Sequence, residues 1–443
     1  METSPSYLNL IALSADSPSL RSINTAEIGT KLTIQILIHI MIIHTFIISV
    51  DPRMQREENS DMSFFFRTKS DKQKQRRRRF ILSIDGGGMR GIIAAEIIRR
   101  MAEMLKEKGD NRPFYSHFDL IAGTSTGSLI ASALSLPAET EMLKKEEGEE
   151  IEVIEQYSER KLFRTVNRKY SKGKIILSSN PEAFTSLFIA NGPAIFPQKG
   201  VSSIIGPVFT DKYSGTSYER FLKKLYGDSL LSDLLVPTLL ISYSSENGII
   251  YPIKSWNSNQ FTIWEATRAS SAAPLYFPPF IKDIDGERIS LIDGGVAANN
   301  PSLLAYTSAR ELYPDSDEYH ILNLSTGEVK NREHSPQIGG LTGWGGRIIG
   351  IFQSAQLEVA DLALQAIPGV SYTRIWAPVL EKKIKLDETG KEAINALLRA
   401  SDKIFEENRS TIEEWVSTLS SADVPDSIKL RKNGELPPPS LEV

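Results

Sequence analysis

The chain has no cysteine among its 443 residues. That excludes disulfides, thiol nucleophiles and cysteine-bearing metal sites, and leaves the compartment open. Histidine is nearly as scarce, at five. His39 and His44 lie in an N-terminal tail, so only His117, His320 and His334 could serve as a base in the body. A basic excess is missing too. Residues 1–79 hold 12 Lys/Arg against 8 Asp/Glu, and the net charge of the whole chain is −4, which leaves −8 for the remainder. A body of that sign offers no footprint for nucleic acid. There is no internal repeat, and no residue cluster calls for a metal or cofactor, so none is expected. The 41% hydrophobic and 24% charged content fits a soluble globular enzyme with one large domain plus extensions, or two domains.

What is present centres on Phe80 to Gly127. Phe80 to Ile84 is a short apolar run that stops at Asp85-Gly86-Gly87-Gly88, the pattern of a buried strand entering a loop. From Gly91, apolar residues at Ile92, Ile93, Ile97, Met101, Met104 and Leu105 have helical spacing. Phe118 to Ala122 is the next apolar run, followed directly by Gly123-Thr124-Ser125-Thr126-Gly127. A β-α-β unit joins parallel strands, so both loops should emerge at one edge of the sheet. G-x-S-x-G between a strand and a helix is the nucleophile elbow, in which Gly123 and Gly127 permit a strained turn that exposes Ser125. The helix expected from Ser128 to Leu136 would point its dipole at the site. The glycine loop can offer backbone N–H groups to an oxyanion. The pentapeptide alone is a weak signal. Its setting makes it a strong one.

A third piece follows at Arg288 to Ile292, an alternating strand ended by Asp293-Gly294-Gly295 and leading toward a helix at Pro301. DGGGMRG at 85–91, GTSTG at 123–127 and DGG at 293–295 resemble the patatin-like phospholipase family, as does ATRASSAAPLYFPPF at 266–280. The likeness covers about 80–330. It implies a three-layer α/β/α sandwich with a mostly parallel central sheet, and a Ser–Asp dyad with Ser125 as nucleophile and Asp293 as general base. Gly86, Gly87 and Gly88, with Arg90 nearby, would form the oxyanion hole. The implied activity is a lipid acyl hydrolase of phospholipase A or lysophospholipase type, acting through an acyl-enzyme on a glycerolipid or phospholipid at a membrane surface. The run Pro274 to Phe280 could supply an apolar rim, or simply pack in the core.

Competing readings are few. Asp85 also ends a strand, but a carboxylate aimed at the oxyanion would oppose the developing charge, so it should brace the loop. Asp119 begins its strand and belongs at the far edge. His117 and His320 precede short strands and belong there too. His334 lies on the productive side, and a Ser125-Asp293-His334 triad is the alternative, in the chain order of α/β-hydrolases. Gly86 to Gly91 also satisfies G-x-G-x-x-G, the dinucleotide fingerprint. That fold wants an acidic residue ending the second strand, where this chain has the serine elbow. A catalytically silent membrane-associated module would keep the fold without the chemistry, and both dyad residues speak against it.

The ends of the chain differ from the body. Leu32 to Val50 is uncharged for 19 residues, about 28 Å as a helix and close to a bilayer's hydrocarbon core. Ten Lys/Arg lie between Arg53 and Arg79, which would keep the body cytoplasmic if 32–50 were an anchor. Otherwise the protein is expected in the cytoplasm or peripheral at the membrane. The expected organisation is a tail over 1–79, a catalytic domain over 80–330, an α/β extension over 331–421 packed on the same domain, and a disordered tail over 422–443. Glu139 to Glu159 reads as an exposed charged loop and helix, and Phe184 to Gly200 as an irregular loop near the site.

Overall fold

The computed structural model describes residues 77–137, 139–144, 171–181, 183–196, 212–257, 260–327, 348–378, 380 and 384–425. All of them belong to the second of two compact units, Gln75–Val443. The chain runs β1 (Arg78–Ile84), α1 (Gly91–Glu107), β2 (Leu120–Thr124), α2 (Thr126–Leu134), β3 (Glu139–Lys144), β4 (Ser171–Ile176), α3 (Ala183–Ile195) and α4 (Thr216–Tyr226). It continues through β5 (Thr238–Ser244), β6 (Ile249–Lys254), α5 (Ile263–Ser270), β7 (Phe280–Ile284), β8 (Glu287–Asp293) and α6 (Ser302–Leu312). β9 (Glu318–Leu324), α7 (Ile348–Ala366), β10 (Val370–Ile375), α8 (Lys391–Glu407) and α9 (Arg409–Ser421) complete it.

Among the described residues the main sheet has eight strands, ordered β10-β9-β1-β2-β5-β8-β7, with β6 also paired to β5. β10, β9, β1, β2 and β5 are mutually parallel. β6 and β8 run antiparallel to β5, and β7 antiparallel to β8. The sequence dictates this split. β2 is buried at every position and β1 at its last five, which suits a strand covered by helices on both faces. β8 alternates buried and half-exposed toward its end, as a one-sided antiparallel strand does. Side chains alternate across β1 and feed two cores. Phe80, Leu82 and Ile84 pack with Ile93 and Ile97 of α1, whereas Ile81 packs with Ala305 and Ala309 of α6. The result is a mixed, mostly parallel sheet between helical layers, the α/β sandwich expected from the motifs.

Two stretches fold differently from their reading in the sequence. Glu139–Lys144 is a strand, paired antiparallel with β4 in a two-stranded ribbon of its own. Its ladder partner lies some thirty residues on, which no local pattern reveals. Phe184 to Ile195 is helical, not irregular. Gly192 and Pro193 read as breakers, and Pro193 cannot donate to the Ile189 carbonyl, but the helix has only two residues left to run beyond it. A Cβ at Gly192 would lie 2.8 Å from Met89 Cε, so glycine serves close packing there.

The end of the basic run, which forms the start of β1, is structural. Arg79 pairs with Asp119 at 2.9 Å, donates to Ser316 at 3.0 Å and lies over the Tyr313 ring. β10 lies in the main sheet beside β9, and α8 and α9 pack on α1. Among the described residues no helix is long and apolar enough to cross a membrane. The span 32–50, the tail before Arg77, His334 and residues 426–443 lie outside the described residues.

Candidate active site

Because β1, β2 and β9 are parallel, their exits share one edge of the sheet. Ser125 follows β2 there, half-exposed, at φ 55° and ψ −118°. A positive φ costs a serine roughly 1–3 kcal/mol, so the surroundings must enforce it. They do so at both ends of the residue. The Ser125 N–H donates to Ser270 Oγ at 3.1 Å, and Ser270 in turn donates to the Ile241 carbonyl at 2.5 Å. The Ser125 carbonyl accepts from Ser128 N at 2.9 Å and Ser128 Oγ at 2.5 Å. The flanking glycines leave no choice of residue. A Cβ on Gly127 would lie 2.1 Å from the Ile84 carbonyl oxygen, and one on Gly123 would lie 2.2 Å from that of Gly127. Gly127→Ala is therefore expected to cost about 3 kcal/mol of stability or more, since main chain must move. A thermal melt that matched wild type would refute this account of the elbow.

Asp293 reaches the same spot by another route. β8 pairs with β5 only over Ser242–Ser244, and Asp293 stands opposite Ser242. β2 has ended just before, with Thr124 opposite Ile241. The carboxyl ends of two oppositely running strands thus meet beside β5. The Ser125 side chain lies in hydrogen-bonding reach of the Asp293 carboxylate, which also accepts the Gly295 N–H at 2.7 Å. Asp293 is only 5% exposed, and burial pushes its carboxyl up from 3.8 to about 6 against those two hydrogen bonds. That value is suited to a base working at neutral pH.

Asp85 is buried as deeply but is committed elsewhere. Arg374 of β10 pairs with it at 3.0 Å and Asn323 of β9 donates to it at 2.8 Å. Burial still raises its carboxyl to about 6, against the pull of Arg374 and Asn323. Its carboxylate is thus tied to β9 and β10 rather than to the serine. His117 sits before β2 and contacts Asp110, and His320 pairs in register with Phe80. Both lie where the strands begin, at the opposite edge from Ser125.

The glycine loop is pinned at intervals. Gly86 N–H donates to the Asn299 carbonyl at 3.1 Å, Met89 N–H to Leu386 at 2.8 Å and Arg90 N–H to Gly87 at 3.1 Å. The N–H groups of Gly87 and Gly88 make no hydrogen bond to any described residue. Gly88, at φ +57°, takes a conformation that other residues rarely adopt. Of the four residues singled out in the sequence, Gly87 and Gly88 therefore have donors to spare, while Gly86 and Arg90 have spent theirs. The Arg90 side chain folds back toward the Gly87 carbonyl at 3.4 Å. Burial holds its guanidinium below its ordinary range, opposed by Asp85 and Tyr276.

A pocket of about 530 Å³, its mouth included, opens at Ser125. Its walls are apolar: Met89, Leu129, Phe188, Ile195, Phe196 and Phe277. Tyr218 and Ser271 also line it and are joined by a 2.9 Å hydrogen bond. Of the rim expected from Pro274 to Phe280, Tyr276 and Phe277 face the pocket. Phe280 instead packs edge-on against Trp264, and Leu275 is 65% exposed. α3 and Leu386 are wall elements that the sequence did not announce. Among the described residues no cluster of three or more histidines and carboxylates is placed to hold a metal.

A strained serine at a helix N-terminus, within reach of a buried carboxylate and beside two unspent backbone donors, is equipped for acyl transfer. The family model for patatin-like phospholipases matches residues 82–306. Patatin-like protein 2 of Arabidopsis thaliana is 30% identical over 328 residues, covering 65% of this chain and 71% of its own. Patatin-like protein 1 of the same plant is 26% identical, with 80% of each chain covered. Human calcium-independent phospholipase A2-gamma is 28% identical over 77% of this chain, which spans 40% of that protein. The chain belongs to the patatin-like phospholipase family. Membership supports lipid acyl hydrolysis as the class of reaction.

Proposed function

We propose that the protein is a lipid acyl hydrolase of phospholipase A or lysophospholipase type, working through a Ser125–Asp293 dyad and an acyl-enzyme. The observation that carries this reading is the contact between the strained Ser125 and the buried Asp293 at the floor of an apolar pocket. The relatives named phospholipase support the substrate class. In the first half-reaction Ser125 Oγ attacks the ester carbonyl carbon while its proton passes to Asp293. The carbonyl oxygen becomes an oxyanion held by the Gly87 and Gly88 N–H groups and by the amino end of α2. Collapse breaks the bond to the alcohol, which leaves with the proton from Asp293. Water then attacks the acyl-enzyme with Asp293 again as base, releasing the fatty acid and restoring the serine hydroxyl. The membrane surface would be where the acyl chain is met, since the pocket is apolar and opens at the sheet edge.

An aspartate is a weak base toward a hydroxyl, so much of the rate must come from donors and dryness. One oxyanion donor is typically worth ~3 kcal/mol. We further propose that the catalytic unit extends past 330 to about 421, with the tail before Arg77 outside it. The position of β10 in the main sheet supports this.

The test is fatty-acid release from phospholipid vesicles by the full chain, with a fluorophosphonate probe for acylation, beside Ser125→Ala, Asp293→Ala and His334→Ala. The dyad predicts that the first two abolish release and the third does not. Loss with His334→Ala but not Asp293→Ala would move the base to histidine. A wild-type chain that neither releases fatty acid nor takes the probe would sink the hydrolase reading.

A further inference from the structure

The pocket has a wall that comes from outside the matched span of 82–306. Residues 384–390, which lead into α8, return to the glycine loop. The Leu386 carbonyl accepts the Met89 N–H at 2.8 Å. The approach is close: a Cβ on Gly88 would lie 2.3 Å from that carbonyl oxygen and 2.9 Å from Leu386 Cβ. Leu386 itself is half-buried and lines the pocket with Ser125, Met89 and Phe277. Nothing in a leucine between Lys385 and Asp387 marks it as a site residue in the sequence.

The next residue anchors this wall. Asp387 is 8% exposed, accepts the Tyr213 hydroxyl at 2.7 Å and pairs with Lys212. Tyr213 packs at a tilt against Phe196 and Phe277, two pocket residues, with ring centroids 5.7 and 5.6 Å away. The N–H groups of Lys212 and Tyr213 donate to the carbonyls of Leu275 and Tyr276, at 3.0 and 2.8 Å. One carboxylate therefore ties the segment carrying Leu386 to the segments carrying Phe277 and Tyr276. A buried carboxylate must be paired to be tolerated, and both of its partners lie directly behind the pocket wall, bonded through their N–H groups to the segment that carries Tyr276 and Phe277.

We infer that Leu386 is a specificity-determining residue for the acyl group, with Asp387 as the positioning residue that holds it in place. The inference rests on the Ser125 acyl-hydrolase reading and deepens it. An apolar wall residue discriminates by volume. A missing or added methylene in such a pocket shifts selectivity by roughly 10- to 200-fold. Trimming Leu386 to alanine opens space beside the glycine loop, and phenylalanine fills it. Asp387→Ala frees the wall without touching the pocket's apolar surface, and Asp387→Asn keeps an acceptor for Tyr213 and should restore part of the selectivity.

The experiment measures kcat/KM of the full chain on p-nitrophenyl esters of graded acyl length, from butanoate to hexadecanoate, with fluorophosphonate labelling alongside. Leu386→Ala is expected to move the ratio of long to short acyl groups about tenfold toward the long, and Leu386→Phe to move it toward the short. Asp387→Ala should flatten the profile, and Asp387→Asn should lie between it and wild type, with the label still taken by all four variants. A general loss of packing would lower rates on every ester equally and leave the ratio unmoved. If the wild type takes the label and both Leu386 variants keep its profile, the inference is wrong and the hydrolase reading stands. If the wild type hydrolyses no ester and takes no label, both fall.

Discussion

Ser125→Ala is expected to lower fatty-acid release by roughly 10⁴-fold or more, as removal of a serine nucleophile does in hydrolases of other folds. The effect should fall on turnover and leave vesicle binding untouched, because the apolar walls of the pocket keep their contacts. Stability should improve slightly or hold, since the strain at φ 55° belongs to the backbone and is enforced by Ser270, Ser128 and the glycines rather than by the hydroxyl. Release kinetics and a thermal melt measured on one preparation check both halves. A variant with a tenth of wild-type activity would point to a different nucleophile.

Asp293→Asn should give the second largest change, and in two opposite directions. Turnover is expected to fall by about 10³-fold or more, since the amide cannot accept the serine proton. The fold should become more stable. A carboxyl raised from 3.8 to about 6 binds its proton more tightly in the native state than in the unfolded one. Stability is then full below about pH 4, falls as pH rises toward 6, and stays lower above it by about 3 kcal/mol. Asp85 contributes in the same sense over the same window. The amide removes the Asp293 share of that cost while keeping an acceptor for the Gly295 N–H. Thermal denaturation should show the variant ahead of wild type at pH 8, the gap roughly halved near pH 5 and closed below about pH 4. The wild-type rate should rise with pH through about 6 as Asp293 ionises. A variant less stable than wild type at pH 8 would contradict the buried, destabilised base.

Much of the architecture could be read from the chain, because its signals are local. The run into Asp85-Gly86-Gly87-Gly88, the helical spacing after Gly91 and the serine elbow fix one β-α-β unit, and its parallel pairing follows. The approach of Asp293 was less open to reading. The sequence shows an alternating strand ended by Asp-Gly-Gly. That this strand runs against its neighbours depends on the β7–β8 hairpin, whose signal is the Asp285-Gly286 turn between alternating runs. The walls were hidden for other reasons. α3 carries a glycine and a proline that argue against helix, and only packing against Met89 shows why the glycine is there. Leu386 enters from far along the chain, so its role exists only in three dimensions.

The two ends of the glycine loop are held by partners of separate origin. Asn299, whose carbonyl takes the Gly86 N–H, lies six residues past Asp293 on the same connection, whereas Leu386 belongs to the C-terminal extension. The short segment 293–299 is thus a common mount for the proposed base and for one end of the proposed oxyanion cradle. A displacement of that mount would misalign proton acceptor and anion donors together. Substitutions along 294–298 should then behave as one lever in double-mutant cycles with Asp293 and Gly86. Substitutions near Leu386 should act on the other end of the cradle, independently of the base.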